Sequence, residues 1–293
     1  MQNNNEKVIS NKIIQWYPGH MTKAMRMMQE SIAQVNCVIY VLDARAIRSC
    51  INPKFNEMVG SKPILYVINK QDLVEKEDLL KWQKYFNEKG YNYVIADSIS
   101  GKQKDIIISK LKLLNKEMIE KYAKKGAIKS IRAMVIGVPN TGKSTLINSL
   151  CRQKRAITGN RPGVTRGKQW VSLAEGVELL DTPGTLPPAF ENQTIAKHLA
   201  FIGSIKDGVV YLDELTIELI KFYRENNKQV FMDRYKLENF SDDNIEVIDG
   251  IAKNRGFLLN KNNYDYDRVY NAVIDDFRKQ KLGKIMLDFP KGE

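Results

Sequence analysis

Residues 137–144, Gly-Val-Pro-Asn-Thr-Gly-Lys-Ser, restrict the architecture of this chain more than any other stretch. They satisfy G-x-x-x-x-G-K-S between an apolar run, Ile131–Gly137, that reads as a strand and a segment, Lys143–Cys151, that reads as a helix. That strand–loop–helix setting is what a phosphate-binding loop requires. Gly137 and Gly142 let the backbone curl so that several N–H groups converge on phosphate oxygens. The helix start adds its positive dipole end. Lys143 is placed to reach β- and γ-phosphates and Ser144 to ligate Mg²⁺. Asn140, Thr141, Gly142 and Thr145 complete the candidate loop.

The surrounding pattern agrees. Apolar strands are predicted at 37–45, 63–69, within 91–100 (a strand and its loop) and at 131–137, with helices over 21–35, 78–90, 102–124 and 143–151. Residues 170–184 read as a hairpin. Alternating strands and helices imply βα units and a mostly parallel sheet covered on both faces. Beyond about residue 190 only helical patterns occur. The expected organisation is a flexible N-terminus (1–13), an α/β nucleotide domain (14–190) and an all-helical C-terminal domain (191–293).

Further motifs sit at strand ends. "DTPG" (181–184) would supply a Mg²⁺-holding carboxylate, Asp181, and a γ-phosphate N–H donor, Gly184. Between it and the phosphate loop, "RPGVTRG" (161–167) offers Thr165 as a residue that closes over Mg²⁺ and the γ-phosphate; a plain Pro-Gly turn is the alternative. "LYVINKQD" (65–72) suits a guanine base. Asp72, ionised, accepts from guanine N1–H and the 2-amino group, donors that adenine lacks there. Asn69 would tether neighbouring loops, and the Lys70 stem would cover the base. After the next strand, Ser98 and Ile99 in "DSIS" could bring a backbone N–H to guanine O6. The order along the chain is therefore base, base, phosphate, switch, switch.

In that order the chain resembles the circularly permuted GTPases of ribosome assembly, and most of all the ribosome biogenesis GTPase A family, over nearly its whole length. "WYPGHMTKAM" (16–25) is similar to that family's N-terminal signature. "VLDARAIRSCINP" (41–53) is similar to its D-A-R-x-P…N-P segment, with Ile47 where proline is usual. Ser98-Ile99-Ser100 departs from the common Ser-Ala-Lys. The resemblance implies a P-loop GTPase domain with a C-terminal helical domain, hydrolysis of GTP to GDP and phosphate with Mg²⁺, and the large ribosomal subunit and its rRNA as partners. It also implies slow turnover that the ribosomal particle accelerates. Thr185 stands where small GTPases carry the water-orienting glutamine and where this family usually has an apolar residue. His20 matches the family's proposed water-positioning histidine, against a simple helix-capping role. Asn140 matches an asparagine that helps hold K⁺ in similar GTPases, against a loop-stabilising role. Because "DTPGTLPPAF" leads straight into the C-terminal helices, nucleotide state is expected to control their docking.

Charge fits a polyanionic partner. Residues 191–293 hold 16 basic and 18 acidic residues, leaving 30 and 16 for residues 1–190. Arg152, Lys154, Arg155, Arg161, Arg166 and Lys168 surround the switch threonine, and Lys121, Lys124, Lys125, Lys129 and Arg132 lead into the phosphate strand. Such charges bind phosphate backbones without reading sequence. The three cysteines show neither metal nor disulfide spacing, which suits a reducing compartment. No apolar run reaches the roughly 18 residues of a membrane helix. A monomeric cytoplasmic protein is expected.

Overall fold

The computed structural model describes residues 13–98, 102–151, 169–260 and 263–290. The chain divides into two compact units. One is Trp16–Lys206 with Lys284–Glu293; the other is Met1–Gln15 with Asp207–Gly283.

The first unit contains, in order, α1 (Gly19–Ser31), β1 (Cys37–Asp43), α2 (Pro53–Val59), β2 (Ile64–Asn69), α3 (Lys76–Glu88), β3 (Asn92–Ile95), α4 (Lys104–Leu114), α5 (Lys116–Ala123), β4 (Ile131–Ile136), α6 (Lys143–Cys151), β5 (Gln169–Ala174), β6 (Val177–Asp181) and α7 (Gln193–Phe201). The strands form one six-stranded sheet in the order β3-β2-β1-β4-β6-β5. Every neighbouring pair is parallel except β5–β6, the antiparallel edge hairpin. All seven residues of β1 are buried, as a central strand covered on both faces demands. On one face Ile39, Val41, Leu65, Val67, Val135, Ile147 and Leu150 join a continuous apolar core.

The predicted 102–124 helix is two helices. At Asn115 the backbone leaves helical angles (φ −113°, ψ 17°), and its buried side-chain amide donates to Leu111 O at 2.8 Å. An asparagine that bonds its own backbone competes with the helix ladder. The helix α2 is read from structure rather than from periodicity: Asn52 caps it, accepting from Lys54 N at 3.0 Å, and Pro53 is its first residue.

The second unit holds α8 (Leu212–Asn226), α9 (Lys228–Tyr235), α10 (Asn244–Arg255), a small ribbon of β7 (Leu258–Asn260) and β8 (Asn263–Tyr264), and α11 (Tyr266–Arg278). Leu215, Leu219, Tyr223, Phe231, Ile251, Val273 and Phe277 are buried in it. Asp276 ties its helices together, accepting from Arg234 Nε at 2.8 Å and Nη2 at 3.0 Å and pairing with Lys281 at 3.1 Å. The expectation of an all-helical domain is thus amended by a two-stranded ribbon, which forms where Gly256 (φ 64°) stops α10.

The division also falls later than residue 190. Helix α7 and the turn after it group with the nucleotide domain because they bond the phosphate loop: Ser204 Oγ donates to Pro139 O at 2.6 Å and Asn140 Nδ2 to Gly203 O at 2.5 Å. The tail from Lys284 returns to this unit as well. Ile285 N donates to Leu73 O at 3.3 Å and Leu287 N to Arg45 O at 2.6 Å.

Candidate nucleotide-binding site

In a parallel sheet the carboxyl ends of all strands open on one rim, and ligands sit where the strand order reverses. Here the chain runs outward from β1 to β2 and β3, then returns to the other side of β1 as β4. The crevice between the ends of β1 and β4 is therefore the expected position. Asp43 ends β1, Asn69 ends β2, Gly137 follows β4 and Asp181 ends β6.

Close approach explains the loop's glycines. A Cβ on Gly137 would lie 2.5 Å from Val41 O, and one on Gly142 (φ 93°) would collide with Asn69 Nδ2. Thr141 Oγ1 and Lys143 Nζ both donate to Val138 O, at 3.1 and 2.9 Å, so the loop holds its own shape. Asn140 takes a left-handed backbone (φ 62°). Thr145 is exposed on the first turn of α6. Burial pushes the Lys143 ammonium down to about 8, with Asp181 opposing the shift only partly. Phosphate oxygens arriving at Nζ would restore its charge. Nucleotide binding is then expected to take up a proton at a pH of about 8.5–9 and none near 6.5, because Lys143 is already charged at the lower pH. Calorimetry in buffers of different ionisation enthalpy measures this; a binding heat independent of buffer at the higher pH would exclude it.

Ser144 Oγ donates to Asp181 Oδ2 at 3.1 Å, and Asp181 is fully buried. A hydroxyl and a carboxylate side by side form an all-oxygen donor pair of the kind Mg²⁺ takes when phosphates complete its shell. The residues present fit that ion. Thr182 Oγ1 bonds Val135 O at 2.6 Å and pins the end of β6 to β4. Gly184 lies so near the phosphate loop that a Cβ there would meet Pro139 Cα at 2.7 Å and Lys143 Nζ at 2.8 Å.

Thr185 is fully buried, and its hydroxyl points to Met25 Sδ at 3.2 Å. Met25 belongs to α1, so that hydroxyl is engaged by α1, and Leu186 is buried as well. The same helix carries His20, which is exposed and packs edge-on to Trp16 at 6.4 Å. His20 does not cap this helix, because α1 has Pro18 as its N-cap, with no side-chain cap bond.

At the end of β2 Asn69 is the hub. Its Nδ2 donates to Thr141 O at 2.7 Å, and its Oδ1 accepts from Ser98 N at 3.0 Å and Ser98 Oγ at 2.6 Å. One amide thus joins three loops. Lys70, in a left-handed conformation (φ 62°), sends Nζ to Asn140 O at 2.6 Å and to Asp43 Oδ2 at 2.7 Å. Asp72 lies exposed in the next turn. Ile99 and Thr165 lie outside the described residues, as do Arg152, Lys154, Arg155, Arg161, Arg166 and Lys168.

Two features escaped sequence reasoning. Asp43 is completely buried and is held by Arg45 as well as Lys70. Ser49 Oγ donates to Asp288 Oδ2 at 2.7 Å and lies 3.1 Å from His198 Nδ1, joining the turn after β1 to α7 and the tail. A buried acid at a strand end is a detectable signal; partners more than two hundred residues apart leave none. Ile47 takes φ −60°, the angle a proline would impose, so its departure from the expected proline leaves the turn intact. Lys121, Lys124, Lys125 and Lys129, before β4, are exposed, and so is Arg132 in β4, which pairs with Glu178 at 2.8 Å. No described helix is long and apolar enough to cross a membrane.

A family model described as a 50S ribosome-binding GTPase matches residues 132–249. The match starts at the phosphate strand and leaves residues 69–98 on its N-terminal side, as the permuted order requires. The chain is 39% identical over 280 residues to ribosome biogenesis GTPase A of Bacillus cereus, covering 95% of each protein. It is 34% identical to mitochondrial ribosome-associated GTPase 1 of Ictalurus punctatus, covering 94% of this chain and 93% of that one. GNP-bound YlqF from T. maritima has the same fold, with a TM-score of 0.63 at 24% identity, over 92% of this chain and 99% of that one.

Proposed function

The chain belongs to the ribosome biogenesis GTPase A family and hydrolyses GTP to GDP and phosphate, and from that premise we propose that it is an assembly factor for the large ribosomal subunit. The observation that carries the reading is the Asn69 hub. It joins a guanine-type loop, Ser98 and the phosphate loop at the rim of one parallel sheet, in permuted order. In this reading Asp72 accepts from the guanine edge and Ser98 with Ile99 frames O6. Asn140, Thr141, Gly142, Lys143, Ser144, Thr145 and Gly184 cradle the phosphates, and Ser144, Asp181 and Thr165 hold Mg²⁺. When bound, that ion neutralises charge that builds between the β- and γ-phosphates.

Turnover alone is slow, because Thr185 is turned onto Met25 and supplies no group to the attacking water. Full rate then needs the ribosomal particle, with His20 orienting water and K⁺ beside Asn140 supplying positive charge. The description of the matching family model as 50S ribosome-binding supports the choice of subunit, and the exposed lysines before β4 support contact with its rRNA. The segment after Gly184 runs through α7, which belongs to the nucleotide unit, on to the C-terminal unit, and loss of the γ-phosphate changes how that unit docks. The protein acts as a cytoplasmic monomer.

The test is steady-state GTP turnover with and without purified large subunits, in K⁺ and in Na⁺. Stimulation by large subunits of about a hundredfold or more is expected, since one positioned proton-handling group contributes roughly 10²–10⁴-fold. Equal stimulation by small subunits, or none by either, overturns the assignment. His20→Ala should remove most of the stimulated rate and leave nucleotide affinity alone. Identical rates in the two salts remove K⁺.

A further inference from the structure

We propose that Asp43 is a positioning residue of the nucleotide site, acting through Lys70. The inference rests on the reading above that residues 69–72 face the base. Asp43 is beside that segment by register, since β1 and β2 pair with Asp43 opposite Asn69. Its carboxylate is wholly buried and receives four donors. Oδ1 accepts from Arg45 N at 3.1 Å and Arg45 Nε at 3.0 Å. Oδ2 accepts from Arg45 Nη2 at 2.8 Å and from Lys70 Nζ at 2.7 Å.

Lysine is a flexible stem with a point charge at its end. Left alone, Lys70 would sample many rotamers, and each nucleotide would have to select one. Here its head is fixed at two points, Asp43 Oδ2 and Asn140 O. The stem therefore runs from the end of β2 to a head already fixed beside the phosphate loop before a ligand arrives. Fixing a binding group in its bound shape raises affinity by removing an ordering cost. Lys70 also has a left-handed backbone (φ 62°, ψ 40°), a conformation that a non-glycine residue keeps only when its surroundings hold it.

Arg45 makes this arrangement durable. Burial alone would drive the Asp43 proton on, but Arg45 and Lys70 hold the carboxyl well below the usual carboxylate range. Arg45 is the second cation that keeps the buried acid charged; Lys70 is the one that reaches the site. The two roles are separable by mutation.

The experiment measures affinity for a fluorescent GDP analogue, with thermal unfolding as a control, in the full-length protein. Asp43→Asn should weaken binding about tenfold, the loss typical of one charge-assisted hydrogen bond. The ratio of GTP to xanthosine triphosphate affinity should stay that of the unaltered protein. Lys70→Met should show a similar loss. The double variant should bind no worse than about twofold below Lys70→Met, because residues that act as one unit are not additive. Arg45→Met should lower the unfolding midpoint while affinity stays within about threefold. If Asp43→Asn does not fold, Asp43→Asn with Arg45→Met removes the stranded guanidinium and must show the same tenfold loss. A folded Asp43→Asn protein with unaltered affinity overturns the proposal, and so does a double variant whose loss is the product of the single losses. Asp72→Asn is the separate check on base reading: if it leaves nucleotide preference unchanged, that reading fails, whatever the Asp43–Lys70 cycle returns.

Discussion

Asp72→Asn should lower GTP affinity by about a hundredfold or more and make xanthosine triphosphate the better ligand. In the proposed reading the carboxylate accepts from two guanine donors at once, and each hydrogen bond to a charged group contributes about 1.5–3 kcal/mol. An amide in its place presents one acceptor and one donor group. Its N–H₂ then faces the guanine 2-amino group, and a buried donor is left without an acceptor. Xanthine carries a carbonyl at that position and pairs with the amide instead. The surroundings should survive the change, because Asp72 is exposed in a short turn, while Asp43 bonds Arg45 and Lys70 directly. Competition binding of the two triphosphates measures the switch. Unaltered preference would remove Asp72 from the base site.

Asp288→Ala should destabilise the nucleotide domain by about 2–4 kcal/mol, and deletion after Gly283 should prevent it from reaching its native stability. Asp288 is only 6% exposed. Its carboxylate accepts from Arg48 N at 3.0 Å, Ser49 N at 2.8 Å and Ser49 Oγ at 2.7 Å, and its carbonyl from Trp82 Nε1 at 3.1 Å. Alanine strands two backbone donors, Arg48 N and Ser49 N, and leaves the Ser49 hydroxyl only His198; each buried unsatisfied group costs about 1–3 kcal/mol, less where water enters. Deletion adds the exposure of Ile285, Met286 and Leu287, which are buried on this surface, at about 1.5–3 kcal/mol each. That sum is comparable to the roughly 5–15 kcal/mol by which whole domains are stable. Phe289 closes the strap, with its carbonyl bonded by Arg48 and its ring under Lys81 Nζ at 4.5 Å. Thermal unfolding, with hydrogen exchange at residues 45–50, measures both. A truncated protein with an unaltered midpoint would show that the strap carries no stability.

The elements recognisable from residues are those whose chemistry is local. GVPNTGKS must curl because its glycines leave no room for side chains beside Val41 O and Asn69. The apolar run Cys37–Asp43 reads as a central strand because both of its faces are buried. Charge likewise separates the basic first part of the chain from the near-neutral remainder. What stayed hidden depends on distant partners. The break at Asn115 comes from one side chain bonding backwards within an otherwise helical pattern. The boundary near residue 206 follows from Ser204 and Asn140 joining α7 to the phosphate loop, where the change to helical patterns near residue 190 marked the expected stop. The tail "KIMLDFP" is too short and mixed to announce a binding partner, yet it packs on residues 45–49, about 240 positions earlier.

The order of its motifs, and with it the permuted GTPase fold, was settled by the residues alone, because each motif carries its own backbone requirement wherever it stands in the chain. The mutual placement of Asp43, Lys70 and Asn140, the retreat of Thr185 onto Met25 and the return of the C-terminal strap came from folding. Those contacts depend on parallel strand register and helix packing, which bring together groups that no local spacing connects.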